Sequence, residues 1–323
     1  MNRGVEIREL KKNFTLTRWT GFHRTVSEVV AVDGISMVVP QGQAVAFIGP
    51  NGAGKSTTIK MLTGILHPTS GNVSVLGFTP WRDRRRLAHC IGAVFGQRSQ
   101  LWYHLPARDT FELLSRVYGL ERSEFIRTRD VLIERFNLGP FMDTPVRKLS
   151  LGQRMRAEVA ASLLHRPRVL FLDEPTIGLD VIARQLLRDL ICEWNRNDGT
   201  TIFLTSHDAG DIEHVAQRVV VINHGHVVVD DNVAAVRRKY LGAKILRVQF
   251  HGAPRSMKLT GVTMLQESGY EWKLQIDTAI VPVRVVTAAV LDAGSVADIA
   301  VEDPPLEEVI ARIYSESRRE VPI

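Results

Sequence analysis

The sequence predicts an α/β fold: a mainly parallel sheet core, a helical subdomain inserted in it, and a small α/β domain after it. Three observations carry this prediction. Up to about Asp230, short β-like runs alternate with amphipathic helical stretches, the pattern of a parallel sheet covered by helices. Several of the runs are nearly all apolar, as strands buried on both faces require. After Asp231 the pattern starts again with new strands.

In chain order, the first buried strand is Ala44–Ile48, and a glycine-rich loop and a helix follow it. A second strand covers Ile91–Phe95. Between Pro106 and Val146 the spacing turns helical, with Phe111, Leu113, Leu114, Val117 and Tyr118 on one face; this predicts a helical subdomain at about 100–165. Val169–Leu172 and Thr201–Thr205 complete the buried strands. A helix through Tyr240 closes a first domain, 1–240. The second domain, 241–323, has strands at Leu246–Phe250 and Glu271–Ile276, a helix near Val285–Leu291, and a last helix opening at Pro305, where Pro304-Pro305 supplies the start signal. No catalytic constellation stands out in it.

Composition narrows the function. The 323 residues are 45% hydrophobic and 24% charged, as in ordinary globular proteins. No apolar run reaches the ~18 residues of a spanning helix, and Met1–Lys12 lacks the make-up of a signal segment, so a cytosolic chain is expected. Cys90 and Cys192 stand far apart, outside any metal-ligand spacing, which argues against a disulfide framework or zinc site. The net charge of +6 is dispersed, with clusters only at Arg82, Arg84, Arg85, Arg86 and at Arg237, Arg238, Lys239. That pattern fits solvated faces, or contact with anionic lipid or an acidic partner, better than a nucleic-acid partner.

The chemistry begins at Gly49-Pro50-Asn51-Gly52-Ala53-Gly54-Lys55-Ser56-Thr57, between the strand and its helix. Backbone N–H groups of such a loop and the helix N-terminus cradle phosphates. Lys55 would reach the β- and γ-phosphates of a nucleoside triphosphate, and Ser56 would offer its hydroxyl to Mg²⁺. At the end of the Val169 strand, Asp173 suits the metal and Glu174 can serve as general base toward water.

The segment Leu149-Ser150-Leu151-Gly152-Gln153, just upstream of the acidic strand, resembles the Leu-Ser-Gly-Gly-Gln signature of the ATP-binding cassette family. The resemblance implies an ATPase using ATP and Mg²⁺. Gln97 would touch metal and water, Asp180 of Gly178-Leu179-Asp180 would form the D-loop, and His207 would contact the γ-phosphate. Ser150, Gly152 and Gln153 would complete the nucleotide site of a second cassette, and Phe14 would stack on adenine, with Trp19 or Phe22 as alternatives because Thr15 to Val29 makes the following loop longer than usual. Leu151 departs from the signature by replacing its first glycine. The region after 240, including Glu302–Glu308, resembles the extension on cassettes of drug, lipid and polysaccharide exporters. Separate membrane permease subunits are then implied, with Leu101–Leu105 as docking segment or core, and the chain would lie at the cytoplasmic face of the membrane. A soluble cassette acting on ribosomes or DNA is the rival reading, but such proteins carry two cassettes or long coiled coils. A regulatory, non-catalytic cassette would usually lack Glu174 or His207. His224 and His226 fit a hairpin turn.

Overall fold

A computed structural model describes residues 3–20, 23–96, 99–240, 243–303 and 306–317. They divide into two compact units, Met1–Val233 and Ala234–Ile323.

The first unit is built on a six-stranded sheet containing β3 (Ala44–Ile48), β5 (Ile91–Phe95), β6 (Val169–Asp173), β7 (Thr201–Thr205), β8 (Arg218–Asn223) and β9 (His226–Asn232), in the order β5-β6-β7-β3-β8-β9. Only β9 runs antiparallel. It returns from β8 through His224-Gly225, both at positive φ (47° and 81°), the two-residue turn that matches strand twist. A three-stranded antiparallel sheet of β1 (Arg3–Thr20), β2 (His23–Pro40) and β4 (Ser70–Val75) accompanies it.

Side-chain alternation sorts the central strands between two cores. From β6 and β7, Val169, Phe171 and Phe203 join Val5, Ile7 and Val39 of the antiparallel sheet and Ile59 of α1 (Lys55–Leu62). Leu170, Leu172, Ile202 and Leu204 face the other way, into a core with α3 (Ala107–Val117), α4 (Arg122–Arg135), α5 (Leu151–Leu163) and α6 (Val181–Asp198). Two short α-helices also belong to this unit: α2 (Arg84–Ala88), whose three arginines are exposed, and α7 (Ala209–Val215).

Two differences from the sequence reading stand out. The Thr15–Val29 segment, expected as a long loop, continues both strands over its described residues as a ribbon, with Thr15 opposite Glu28 and Thr17 opposite Val26. Its Thr and Val content favours extended backbone, although Leu16, Val26, Val29 and Val30 stay exposed. In the second unit, which opens with α8 (Val233–Tyr240), four strands pair antiparallel in the order β11-β12-β10-β13. The expected strands are β10 (Ala243–Phe250) and β12 (Glu271–Asp277); β11 (Val262–Ser268) and β13 (Val296–Glu302) are additions whose mostly exposed residues gave no apolar run. α9 (Val283–Ala293) packs Val286 and Val290 on Leu246, Trp272 and Leu274, and α10 (Leu306–Ser317) ends the described chain. Pro304 and Pro305 lie outside the described residues.

Phe203 is fully buried with its ring 5.2 Å from Phe47 and 5.7 Å from Phe171. Phe203→Ala is expected to destabilise the first unit by about 3–5 kcal/mol, read as a lower urea midpoint for that unit's transition.

Candidate functional site

Parallel pairing sends the carboxyl ends of β3, β5, β6 and β7 to one edge of the sheet, where open α/β sheets bind ligands. The loop after β3 folds there without room for side chains at two of its glycines. A Cβ at Gly49 would fall 2.4 Å from the Ile222 carbonyl oxygen. Gly54 has φ +106°, and a Cβ on it would meet the Ala31 oxygen at 2.4 Å. Gly54 also caps α1 without any side-chain acceptor, so the first N–H groups of that helix remain available to an anion.

Lys55 is 5% exposed, and its Nζ donates to the Gly49 oxygen at 2.7 Å and the Pro50 oxygen at 3.2 Å. The same ammonium lies 4.0 Å from Glu174 Oε1 and 3.3 Å from His207 Nε2. His207 Nε2 is in turn 2.7 Å from Glu174 Oε1. Three residues from the ends of three strands thus meet around one point. Burial holds the Lys55 pKa below its ordinary 10.5, with Glu174 and Asp173 pulling the other way.

Beside this triangle, Ser56 Oγ donates to Asp173 Oδ1 at 3.2 Å, and Thr205 Oγ donates to the same oxygen at 2.6 Å. A hydroxyl and a carboxylate are hard oxygen donors, and a pair at this spacing fits Mg²⁺. Glu174 adopts a left-handed backbone, φ 53°, fixed by donation from its N–H to the Thr205 carbonyl and hydroxyl, both at 3.1 Å. Such a conformation costs a non-glycine residue on the order of 1–3 kcal/mol and persists where surrounding bonds enforce it.

A cavity of ≈ 550 Å³ is lined by Asp173, Glu174, Ser56, Thr57, Lys60 and Phe14, among others. Phe14 thus forms part of its wall, with Lys12 Nζ 5.1 Å from the ring centroid. Phe22 and Gln97 lie outside the described residues. The wall of a second cavity is formed by Glu174, His207, Asp208, Arg184 and the Gly178 loop.

Ser150 and Gln153 line neither cavity. They form a reciprocal capping box at the start of α5: Ser150 Oγ accepts from the Gln153 N–H at 3.1 Å, and Gln153 Oε1 accepts from the Ser150 N–H at 2.9 Å. This locks the helix start and leaves the Ser150 hydroxyl proton and the Gln153 amide protons free to donate. A Cβ on Gly152 would sit 2.8 Å from Ala183 Cβ, so glycine lets α5 approach α6. Leu151, at the departing signature position, has its Cδ2 3.0 Å from where a Gly178 Cβ would be; it joins the signature to the D-loop segment by packing. Asp180 caps α6 by accepting from the Ala183 N–H at 2.8 Å.

One group of supporting residues escaped sequence reasoning. Arg188 donates to Asp208 Oδ1 at 2.7 Å and to buried Asp211 at 2.6 Å, Ser206 donates to Asp211 at 2.5 Å, and Arg184 and Thr176 bond Asp208 and Asp211 respectively. These bonds hold the turn bearing His207. The only signal in the sequence was the four-residue spacing of Arg184 and Arg188, which puts both on one helix face.

Because the folded pKa of Lys55 lies below its ordinary value, the unfolded chain binds more protons between the two values. The cost of burying this ammonium is thus felt below the folded pKa and fades as pH climbs toward 10.5. Comparing the nucleotide-free melting temperature of Lys55→Met with that of the parent, the difference is expected to shift in the parent's favour from pH 7 to pH 10; a pH-independent difference would contradict it.

Residues 32–177 match the family model described as ABC transporter. The chain is 31% identical over 305 residues to daunorubicin resistance ATP-binding protein DrrA3 of Streptomyces coeruleorubidus, covering 93% of this chain and 96% of that protein. It is 32% identical to bacitracin transport ATP-binding protein BcrA of Bacillus licheniformis over 70% of this chain and 74% of that one. Among solved structures it is similar to cbiO1 of Clostridium perfringens, part of the ABC transporter complex cbiONQ (TM-score 0.61, 27% identity, 74% of this chain and 94% of that one). It is also similar to a dimeric ATP-binding cassette in a post-hydrolysis state bound to ADP and Pi (TM-score 0.60, 26% identity, 71% and 98%). With the phosphate loop, the acidic strand end and the capped signature helix in place, the chain belongs to the ATP-binding cassette transporter family, as an ATP-binding subunit that hydrolyses ATP for transport.

Proposed function

We propose that two such cassettes sandwich ATP and drive export of a hydrophobic or amphiphilic compound through separate membrane subunits. The observation that carries the reading is the division of the site within one chain: Lys55, Glu174 and His207 meet within 4.0 Å, while the anion-ready Ser150 helix end lines neither cavity at that point. A second copy, or a sister chain, supplies the missing donors. The dimeric cassette to which this chain is similar supports the arrangement.

In this mechanism Lys55 and the α1 N-terminus hold the β- and γ-phosphates. Glu174 takes a proton from the attacking water as its oxygen bonds to the γ-phosphorus, and the bond to the bridging oxygen breaks to leave ADP. His207, bonded to Glu174, orients that carboxylate and faces the γ-phosphate. Ser56 and Asp173 would hold Mg²⁺, with Gln97 as a third contact, and the ion would offset triphosphate charge. The Ser150 hydroxyl and the α5 dipole of the partner add donors at the γ-phosphate. Phe14 is the adenine platform, Asp180 and its loop meet the partner cassette, and 241–323 serves as a regulatory or dimerisation domain.

Export follows the names of the relatives, which concern daunorubicin resistance and bacitracin transport. The docking surface is the segment after β5. Leu101 is 3% exposed and belongs to the helical core, whereas Trp102 (48%) and Tyr103 (53%) present open rings, a patch fit for an apolar helix of a membrane subunit. No helix among the described residues is long and apolar enough to cross a membrane, so membrane attachment at the cytoplasmic face would come through these partners.

Glu174→Gln is expected to slow phosphate release by about 10²–10⁴-fold while leaving an ATP-dependent dimer visible by sedimentation; normal turnover by a monomer would overturn the sandwich. Trp102→Ala with Tyr103→Ala should leave the ATPase rate of the isolated chain unchanged and abolish co-purification with the membrane subunits. Undiminished co-purification would remove the docking assignment.

A further inference from the structure

The signature helix α5 carries, two turns beyond its start, a carboxylate that the mechanism above does not use. Glu158 is 3% exposed and sits on the side of α5 facing the segment after β5. Its Oε2 accepts from the Gln100 N–H at 3.0 Å, its Oε1 accepts from the same group at 3.2 Å, and the Ser99 hydroxyl donates to Oε1. Burial pushes the carboxyl pKa up, and the Ser99 and Gln100 donors pull it back down. Ser99 and Gln100 are followed directly by Leu101, buried in the helical core, and by the exposed Trp102 and Tyr103.

A buried carboxylate holding three donor contacts is costly to place and strong once satisfied. Here the donors belong to a stretch with no regular secondary structure, in which Ser99 Oγ also accepts from the Leu101 N–H at 3.2 Å. The bonds therefore fix an otherwise irregular segment onto the helix whose first turn bears Ser150.

We propose that Glu158 is a positioning residue that clamps the Ser99–Tyr103 segment to the signature helix, so that movement of the exposed aromatic patch and of the Ser150 helix end is transmitted as one rigid body. This rests on the sandwich reading of the site. Loss of the clamp leaves the nucleotide pocket of one chain intact, since Glu158 lines neither of its cavities. It impairs only the docking of Ser150 onto the partner's nucleotide.

The test uses the full chain carrying Glu174→Gln, with Mg²⁺ and ATP. Sedimentation velocity gives the ATP-driven dimer affinity, and a fluorescent ATP analogue gives nucleotide affinity at monomer concentrations. Adding Glu158→Ala is expected to weaken dimerisation roughly tenfold while analogue binding stays within about twofold. Glu158→Gln should recover most of the loss, because its amide oxygen still accepts from the Gln100 N–H. Ser99→Ala should give a smaller loss that does not add to that of Glu158→Ala. If the alanine variant fails to fold, Ser99→Ala alone carries the same test, weakened dimerisation with unchanged analogue binding being expected. The proposal is overturned by unchanged dimer affinity, by analogue binding that falls in step with it, or by strictly additive losses. Failure of the Glu174→Gln parent to dimerise would instead sink the sandwich reading, and the clamp with it.

Discussion

The register of the parallel strands is the constraint on which the site depends. Phe95, Asp173 and Thr205 lie side by side on β5, β6 and β7, and Ile48, the last residue of β3, belongs to the same sheet. Each following residue therefore leaves the sheet at one edge, with no freedom to scatter. A slip of one residue on β6 would exchange its two faces, burying Asp173 and withdrawing Glu174 from His207. The backbone ladder thus brings the positions of Glu174, Lys55 and His207 together before any side chain is chosen.

Side chains then fix what the ladder leaves loose. Thr205 both donates to Asp173 and receives the Glu174 N–H, so one hydroxyl orders the Asp173 carboxylate and the strained backbone of Glu174. On the neighbouring turn, Arg188 with Asp208 and Asp211 secures the residues around His207. Thr205 and Asp211 are buried, so competition from water for their bonds is weak and each is correspondingly stronger.

The helical layer follows a different logic. Its core is apolar, from Phe111 and Phe125 to Met155 and Leu163, and such packing alone does not fix the irregular stretch from Ser99 to Tyr103. Polar contacts do that: the capping box at Ser150 sets where α5 starts, Gly152 and Leu151 set how closely it meets α6 and the Gly178 loop, and Glu158 secures Ser99 and Gln100. The second unit has a core of its own, with Trp272 and Phe250 in edge-to-face contact at 4.9 Å over α9.

The sequence by itself determined the parts whose chemistry is contiguous. Lys55 and its glycines, the Asp173–Glu174 pair and the Ser150–Gln153 helix start are each written within a few residues, because backbone conformation, capping and phosphate binding act over that range. Apolar runs likewise marked β3, β5, β6 and β7, since burial on both faces leaves no other composition. The tertiary structure decided what depends on distant partners. Ser99 meets Glu158 across 59 residues and Arg188 meets Asp211 across 23, and nothing local distinguishes these charges from solvated ones. Leu101 and Trp102 are adjacent and equally apolar in sequence, yet one is core and the other open. Burial is a property of what packs against a residue, and only the folded chain supplies it.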